Sequence, residues 1–447
     1  MKRIRIGSGA GYAGDRLEPA LELIEKGNID YIGFECLAER TIALAQKERL
    51  KNPEKGYNSL FEYRMEKVIP LAWKHGVRVI TNMGAANPCA AAKVAAEIAR
   101  KNGIWGIKIA AVTGDDVFDK LDGYKDTIVW ENKKQLSELE GEIVSANVYM
   151  GAEGIVEALY EGADIVITGR VADPSLFLGP LIYEFDWAWD DWDLLGKGTL
   201  IGHLLECGGQ VCGGYYAEPG KKDVPMMENI GFPLVEVQEN GEFFITKTEG
   251  TGGIINRHTC SEQMVYEIHN PKEYFTPNVI ADFSNVIFEE IGENKVLVKY
   301  ATGHPKPDTL KVSMGYKDCF IGEGQISYGG HGCLKRARLA VDILKKRLEL
   351  RNLCLDEVKA DIIGVNSLYW ADDSDKQEPD EVRVRLAVRA KDKMTAQRVG
   401  EEVEALYTNG PAGGCGVVKS VNEVLSVASM LIHRSDVQPH VYIREVK

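Results

Sequence analysis

Short apolar runs alternate with segments of helical period along the first 185 or so residues of the chain. Six of these runs have the length and composition of buried strands. They are RIRIG, DYIGFE, VRVIT, GIKIAAV, EIVSANV and ADIVITG. Each is followed by a short polar or glycine-rich loop. The alternation predicts a doubly wound α/β domain with a mostly parallel sheet, whose loops open at one edge.

From about residue 283 the pattern changes to closely spaced strands with two long helical segments. The order of these elements predicts an α+β domain of the ferredoxin-like, split-βαβ type. Between about 184 and 260 lies a tryptophan-rich stretch, YEFDWAWDDWDLL, followed by several glycine-rich turns. We therefore expect an α/β domain at 1–282, with an insertion region at about 184–260, and an α+β domain at 283–447.

The stretch from 151 to 181, GAEGIVEALYEGADIVITGRVADPSLFLGPL, predicts a helix, a buried strand, a polar turn and a second helix. Thr168, Arg170, Asp173 and Ser175 follow closely on the end of this strand. Strand ends and helix amino termini converge at that edge of a parallel sheet and leave backbone N–H groups free for ligands. We expect Arg170 to bind an anion, Asp173 to act in acid–base chemistry, and the two hydroxyl groups to contact substrate.

The loop after the first strand contains a Gly-x-Gly-x-x-Gly pattern made by Gly9, Gly11 and Gly14. Glu35 ends the next strand about twenty residues later, which is the spacing of a dinucleotide-binding fingerprint. Asp15 directly follows the third glycine and places a negative charge where a pyrophosphate would bind. The alternative is a glycine-rich loop that shapes a substrate site, with Asp15 and Glu35 as polar contacts.

Other strand ends carry further polar residues. Asn82 and Asn147 are predicted to orient the substrate, because each follows a buried strand. Asp115 and Asp116 lie in the turn that follows the strand GIKIAAV. Two adjacent carboxylates suit Mg²⁺ or a substrate hydroxyl, but they equally suit the start of the following helix.

Two more polar groups fall in the insertion region. His203 and Glu206 are three residues apart on a predicted helix, so the carboxylate can orient the imidazole. The second group is a glycine-rich loop that resembles an anion-binding nest. Its polar residues are Lys247, Glu249, Thr251 and His258. We expect His203, Glu206, Lys247 and His258 to be catalytic, and Glu249 and Thr251 to bind substrate.

Composition narrows the functional classes. The chain of 447 residues has 53 Lys and Arg against 67 Asp and Glu, and its formal net charge is −14. This balance argues against nucleic acid or an anionic membrane as the main partner. The 9 cysteines show no zinc-site spacing, and the chain contains no long apolar segment. We therefore expect a cytoplasmic protein with reduced thiols, and the chain length makes a homo-oligomer plausible.

Several motifs together resemble the acyclic terpene utilisation family, AtuA. They are GAGYAGDR, DYIGFECLAERTIALAQ, TNMGAANP, VTGDD, GADIVITGRVADPSLFL, CGGQVCGGYYAEPGKKDVP and KTEGTGGIINRHT. The resemblance spans nearly the whole chain. It implies a place in the catabolism of citronellol- and geraniol-type acids as CoA thioesters. It also implies a small, separate ferredoxin-like partner subunit.

These observations predict a lyase, either a hydro-lyase (hydratase or dehydratase) or a carbon–carbon lyase. Its substrate is expected to be a small branched hydroxy acid or its CoA thioester. Such chemistry needs an anion-binding group, a general base and a donor to an enolate-like oxygen. No cofactor is specified by the sequence, and Mg²⁺ is the first alternative. Two rival hypotheses are an NAD-linked oxidoreductase that uses the amino-terminal glycines, and a non-catalytic scaffold subunit of a catabolic complex.

Overall fold

The computed structural model of the protein describes residues 2–369 and 379–447. The chain divides into two compact units. The first comprises Met1–Leu139, Val144–Gly315 and Val427–Lys447, and the second comprises Glu140–Ile143 and Tyr316–Ser426. The fold is mixed α/β, which confirms the predicted class.

The first unit contains most of the helices and strands. In chain order they are β1 (Arg3–Ala10), α1 (Glu18–Lys26), β2 (Tyr31–Phe34), α2 (Glu39–Lys51), α3 (Phe61–His75), β3 (Arg78–Thr81), α4 (Pro88–Lys101), β4 (Lys108–Thr113), β5 (Ile143–Val148), α5 (Glu153–Tyr160), β6 (Ile165–Thr168), α6 (Ser175–Phe185), α7 (Trp192–Leu205), β7 (Pro233–Gln238), β8 (Phe243–Lys247), α8 (Arg257–Val265), β9 (Tyr274–Phe275), β10 (Ile280–Asp282), β11 (Ile287–Gly292), β12 (Lys295–Lys299) and β13 (Thr302–His304). Residues of both units occur in β5, β14 (Thr309–Gly329) and β17 (Cys415–His433), and β18 (His440–Glu445) belongs to the first unit.

Ten of the described strands form one mixed sheet, in the order β11-β12-β8-β7-β1-β2-β3-β6-β4-β18. The five central strands, β1, β2, β3, β6 and β4, are parallel. The strands that extend this centre on either side pair antiparallel. Two assignments differ from the sequence pattern. β5 pairs with β14 instead of joining this sheet, and β11 and β12 extend the sheet although their sequences were grouped with the carboxyl-terminal strands.

Helices cover both faces of the parallel centre, as β2 illustrates. Ile32 and Phe34 are buried in one core cluster with Leu23 of α1 and Met65 of α3. Gly33, which points the opposite way, faces the ring of Phe177 in α6, because a Cβ atom there would lie 2.4 Å from that ring. Alternate strand residues therefore pack against different helices, which is the doubly wound arrangement. No described helix combines the length and apolar character needed to span a membrane.

The second unit has the element order β14, α9 (Cys333–Leu350), β15 (Glu357–Ile363), β16 (Glu381–Ala390), α10 (Lys393–Glu404), α11 (Leu406–Asn409) and β17. Its strands are ordered β15-β16-β14-β17. Alternate residues of β16, from Val382 to Val388, are buried in one cluster with residues of α9 and α10. Two helices on one face of an antiparallel β-α-β-β-α-β sheet form the ferredoxin-like arrangement that the sequence predicted.

Candidate active site

A cavity of about 610 Å³ opens at the carboxyl ends of the parallel strands in the first unit. Gly11 follows β1, Glu35 follows β2 and Arg170 lies two residues beyond β6. This is the edge at which open α/β sheets bind ligands. The remaining lining residues are Tyr12, Asp15, Arg16, Leu37, Ala38, Glu39, Tyr149, Asp173, Glu206, Cys207, Gly209, Gln210, Gly214, Tyr215, Ile230, Phe232, Tyr266 and Glu267.

Arg170 lines this cavity, and its side chain is almost fully buried, with 1% exposed. Its Nε donates to the Val171 carbonyl oxygen at 2.9 Å, and Nη2 donates to the same oxygen and to Asp173. Nη1 donates to the Leu37 carbonyl oxygen. These contacts occupy four of the five N–H groups of a guanidinium and leave one on Nη1. Arg170 is therefore held rigidly, and neither edge that could grip a carboxylate with two hydrogen bonds is open.

Tyr149, Glu39 and Lys311 form a second charged group beside Arg170. The Arg170 guanidinium carbon lies 4.5 Å from the centre of the Tyr149 ring. Tyr149 donates its hydroxyl to Glu39 Oε1 at 2.5 Å, and Lys311 Nζ lies 3.1 Å from the same oxygen. Burial alone would raise the pKa of Glu39, but these hydrogen bonds outweigh it and lower the pKa to about 2. Glu39 is therefore a permanent negative charge at neutral pH.

Glu35 and Asp173 are carboxyl groups with raised pKa values in the same cavity. Burial is the main cause of the raised pKa of Glu35, and the nearby charge of Asp173 adds to it. Burial also raises the pKa of Asp173, to about 7, with Glu206 and Glu39 adding to the effect while Arg170 opposes it. Two like charges in one poorly solvated site resist ionising together. Both carboxyl groups are therefore protonated at a higher pH than an ordinary surface carboxylate.

Hydrogen bonds that involve Asn82 and the Cys36 backbone fix the position of the Glu35 side chain. Glu35 Oε1 accepts from Asn82 Nδ2 at 3.0 Å and from the Leu37 backbone N–H at 2.8 Å. Asn82 Oδ1 in turn accepts from the Cys36 backbone N–H at 2.7 Å. Asn82 is fully buried and is absent from the cavity lining. Its contacts orient Glu35, whereas the sequence analysis had it orient the substrate directly.

His203 and Glu206 are brought together by the last turn of α7. His203 Nδ1 lies 2.7 Å from Glu206 Oε1, and the imidazole packs beside the rings of Tyr274 and Phe283. Burial disfavours the imidazolium, but the charge and hydrogen bond of Glu206 outweigh it and raise the pKa of His203. Glu206 is 7% exposed and lines the cavity, and its Oε2 has no hydrogen-bond partner among the described residues.

Asp115 supports the turn that carries Arg170. Its Oδ2 accepts from the Arg170 backbone N–H at 2.9 Å and from Asn147 Nδ2 at 2.9 Å. Burial raises the pKa of Asp115 to about 6. Asp116 is more exposed, and it accepts from the Phe118 backbone N–H at 3.2 Å. Within residues 2–369 and 379–447, no group of three or more His, Cys, Asp or Glu side chains is arranged to hold a metal ion.

Asp15 occupies the Gly11 amide of the glycine-rich loop after β1. Asp15 Oδ2 accepts from the Gly11 N–H at 2.9 Å, and Oδ1 accepts from the Arg16 N–H at 2.8 Å. A Cβ atom on Gly11 would lie 2.2 Å from the Cys207 carbonyl carbon, so the loop packs closely on the segment after α7. Arg64 also holds this loop, because its Nη2 donates to the Asp15 carbonyl oxygen at 2.7 Å. This geometry favours a substrate-shaping loop over a pyrophosphate site.

A sequence model of the acyclic terpene utilisation family, AtuA, matches residues 4–443. The chain belongs to this family. Membership implies a role in acyclic terpene catabolism and confirms the resemblance seen in the motifs. No curated protein matches the chain. A de novo designed protein, Foldit4, is 14% identical, and the alignment covers 24% of this chain and 99% of the designed chain; its TM-score of 0.17 is too low to carry any argument.

Only some of the predicted site residues of this AtuA-family chain line the cavity. Asp15, Glu35, Arg170, Asp173 and Glu206 line it. The buried residues His203, Asn82, Asn147, Thr168 and Ser175 are absent from the lining. Of these, His203 and Asn82 support lining carboxylates, and Asn147 supports Asp115.

The second predicted polar loop is likewise absent from the cavity lining. Lys247 Nζ donates to the Thr251 carbonyl oxygen at 2.7 Å, and burial lowers the pKa of Lys247. Thr251 Oγ1 donates to the Thr248 carbonyl oxygen at 2.6 Å. Glu249 and His258 are exposed. The predicted roles of these four residues in catalysis and substrate binding stay predictions.

The sequence analysis missed several polar residues of the cavity lining, among them Glu39 and Tyr149. Each comes shortly after a strand end, Glu39 five residues beyond β2 and Tyr149 directly after β5. Their positions near strand ends were the signal that could have identified both residues as site candidates. It was overlooked because Glu39 reads as an ordinary first-turn helix residue, and because a tyrosine next to a strand is usually a packing residue.

Proposed function

We propose that this protein is a hydro-lyase, a hydratase or dehydratase that acts on a branched β-hydroxy acid or its thioester in acyclic terpene catabolism. The observation that carries the proposal is the placement of Glu35 and Asp173 in one cavity at the carboxyl ends of β2 and β6. Reversible addition of water to a conjugated double bond requires one group that takes a proton and one that gives a proton.

The two carboxyl groups suit these roles because burial raises the pKa of both, and that of Asp173 to about 7, which favours proton transfer near neutral pH. In the dehydration direction, the ionised carboxylate removes the proton on the carbon next to the carbonyl group. The protonated carboxyl group gives its proton to the leaving hydroxyl group. The carbon–oxygen bond breaks, a carbon–carbon double bond forms and water departs. Hydration is the reverse sequence with the same two groups.

The rest of the cavity supports this assignment. Arg170 fixes Asp173 through Nη2, and its positive charge favours the negative charge that develops on the substrate carbonyl oxygen. Ile230 and Phe232 give the lining an apolar portion that suits a branched hydrocarbon chain. In this proposal the predicted clamp role of Arg170 becomes a positioning and electrostatic role.

The test measures proton exchange as well as turnover. The protein is incubated in deuterium oxide with methyl-branched β-hydroxyacyl and enoyl thioesters. Nuclear magnetic resonance follows exchange next to the carbonyl group, and ultraviolet absorbance follows the conjugated double bond. We expect Asp173→Asn and Glu35→Gln each to lower the rate by roughly 100-fold or more. Glu97→Gln, which changes an exposed carboxylate on α4, is the matched control and retains full activity.

Unchanged rates in both carboxyl variants would refute the proposal. The two rival hypotheses predict different results. An NAD-linked oxidoreductase would bind nicotinamide cofactor at the loop of Gly9, Gly11 and Gly14, where Asp15 already occupies the Gly11 amide. A scaffold subunit would show no exchange alone and would gain it with a partner. The small ferredoxin-like partner and the homo-oligomer are tested by co-purification and by light scattering.

A further inference from the structure

The two edges of the ten-stranded sheet differ in how they are protected from pairing with another strand. β11, at one edge, has a register shift between Glu290 and Gly292 and carries two adjacent glutamates, Glu289 and Glu290. Bulges and charged side chains are common means by which an edge strand avoids pairing. β18, at the other edge, pairs with β4 without a register shift and contains no proline. β18 is therefore a regular edge strand.

The hydrogen bonds around β4 show which backbone groups of β18 point away from the sheet. The Val446 N–H donates to the Ile107 carbonyl oxygen at 3.1 Å, in the register of this strand pair. On the other side of β4, the Lys108 carbonyl oxygen accepts from the Asp164 N–H at 2.8 Å. Because hydrogen-bonded and open pairs alternate along antiparallel strands, even-numbered residues of β18 bond to β4 and odd-numbered residues point outward. The outward N–H and C=O groups, to which no described residue donates or accepts, belong to Val441, Ile443 and Glu445.

Side chains of β18 are exposed on both faces of the sheet. Tyr442 and Ile443 are neighbours in the strand, so they lie on opposite faces, and they are 56% and 38% exposed. Arg444 lies on the same face as Tyr442 and is also exposed. Its side chain has no ion pair or hydrogen bond with another described residue. Free backbone groups beside exposed apolar side chains make an edge to which another strand can add.

The outward groups determine the register in which a second copy of β18 can pair. Two antiparallel copies exchange hydrogen bonds only where odd-numbered residues face each other, and a two-fold axis at Ile443 uses all three such residues. Ile443 then lies opposite Ile443 of the second copy. On the other face, Tyr442 lies opposite Arg444 of the second copy, at an open pair where side chains approach most closely. An apolar cross-strand pair and a guanidinium group over an aromatic ring are both favourable.

We propose that β18 is a self-association edge, at which two copies of this chain pair antiparallel about a two-fold axis at Ile443. The ten-stranded sheets of the two copies then continue as one sheet through the interface. The occupant is a second copy because the register that satisfies the backbone also pairs Tyr442 with Arg444 and Ile443 with itself. A single strand pair is a small interface, so we expect a Kd on the order of micromolar. The inference is independent of the proposed hydro-lyase chemistry.

The test is sedimentation equilibrium of the full chain at about 1 μM and about 100 μM. We expect the wild-type protein to change from the mass of one chain to the mass of two chains over this range. Ile443→Glu and Ile443→Lys each place two like charges opposite each other at the axis, so self-association is expected to weaken by roughly 100-fold or more. Ile287→Glu, which puts the same charge at an exposed isoleucine of β11, is the matched control and associates like the wild-type protein.

Mixing the two variants tests the register itself. An equimolar mixture of Ile443→Glu and Ile443→Lys places opposite charges across the axis, so we expect it to regain the mass of two chains. Circular dichroism checks that both variants are folded. Hydrogen exchange of the wild-type protein needs no variant, and we expect exchange in the segment 440–446 to slow at the higher concentration. The inference is overturned if the wild-type protein stays monomeric at about 100 μM, if exchange there is unchanged, if either variant stays dimeric, or if the mixture stays monomeric.

Discussion

Replacing Arg170 by Met tests whether this residue and Asp173 act as one unit. The substitution leaves the carbonyl oxygens of Leu37 and Val171 buried without their donor, at about 1 kcal/mol each. Breaking a buried ion pair costs about 3–5 kcal/mol, but the Asp173 side chain is 34% exposed, so solvent reduces this contribution to about 2 kcal/mol. The expected loss of stability is about 4 kcal/mol at pH 8.

Thermal unfolding followed by circular dichroism measures this loss. At about 2 cal/mol/K of unfolding entropy per residue, about 4 kcal/mol lowers the Tm of a 447-residue protein by roughly 4 °C. Arg170 stabilises ionised Asp173, so the ion-pair contribution is present above the pKa of about 7 and is lost as the pH falls below it. At pH 5.5 the loss caused by Arg170→Met is therefore expected to fall to about half.

A double-mutant cycle provides the decisive comparison. Asp173→Asn keeps an oxygen that accepts from Arg170 and removes a carboxyl group whose pKa is raised to about 7, so we expect the variant to gain stability relative to wild type as the pH rises from 5.5 to 8. The double variant removes both charges together, so it is expected to be about 2 kcal/mol more stable than the sum of the single changes implies. If the two single effects add within about 0.5 kcal/mol, the two side chains are not coupled and the reasoning about the cavity is wrong.

Two further predictions concern the loop and turn around the cavity. Gly11→Ala places a methyl group 2.2 Å from the Cys207 carbonyl carbon and is expected to lower Tm by several degrees; Gly123→Ala, where a Cβ atom meets nothing within 4 Å, leaves Tm unchanged in the same scan. Asp115→Asn removes a carboxyl group whose pKa rises from 3.8 to about 6 on folding, which makes the wild-type protein less stable as pH rises through that interval. The unfolding free energy of the variant is therefore expected to rise, relative to that of wild type, by on the order of 2 kcal/mol between pH 4 and pH 6.5. Tm curves of the two proteins that stay parallel across that range would contradict this expectation.

The periodicity of the chain predicted the parallel strands and the ferredoxin-like unit correctly. Buried parallel strands are continuous apolar runs, and β2, β3 and β6 are fully or almost fully buried. The same signal placed β5 in the wrong sheet, because a buried apolar run does not indicate which strand it pairs with. IVSANV reads as a strand of the main sheet, yet β5 pairs with β14, more than 160 residues away in the chain.

The sequence by itself determined the mixed α/β class, the family motifs and the presence of polar residues at the strand ends. Its local signals suffice for this because strand and helix periods and turn residues act over a few neighbouring positions. Only the tertiary structure decided which polar residues share the cavity. The fold places Glu35, Asp173 and Glu206 in one cavity lining, whereas Lys247 and His258 are absent from it. It also places the Leu37 carbonyl oxygen where it accepts a hydrogen bond from Nη1 of Arg170. Burial and charge coupling depend on neighbours distant in the chain, and these neighbours exist only once the strands have paired.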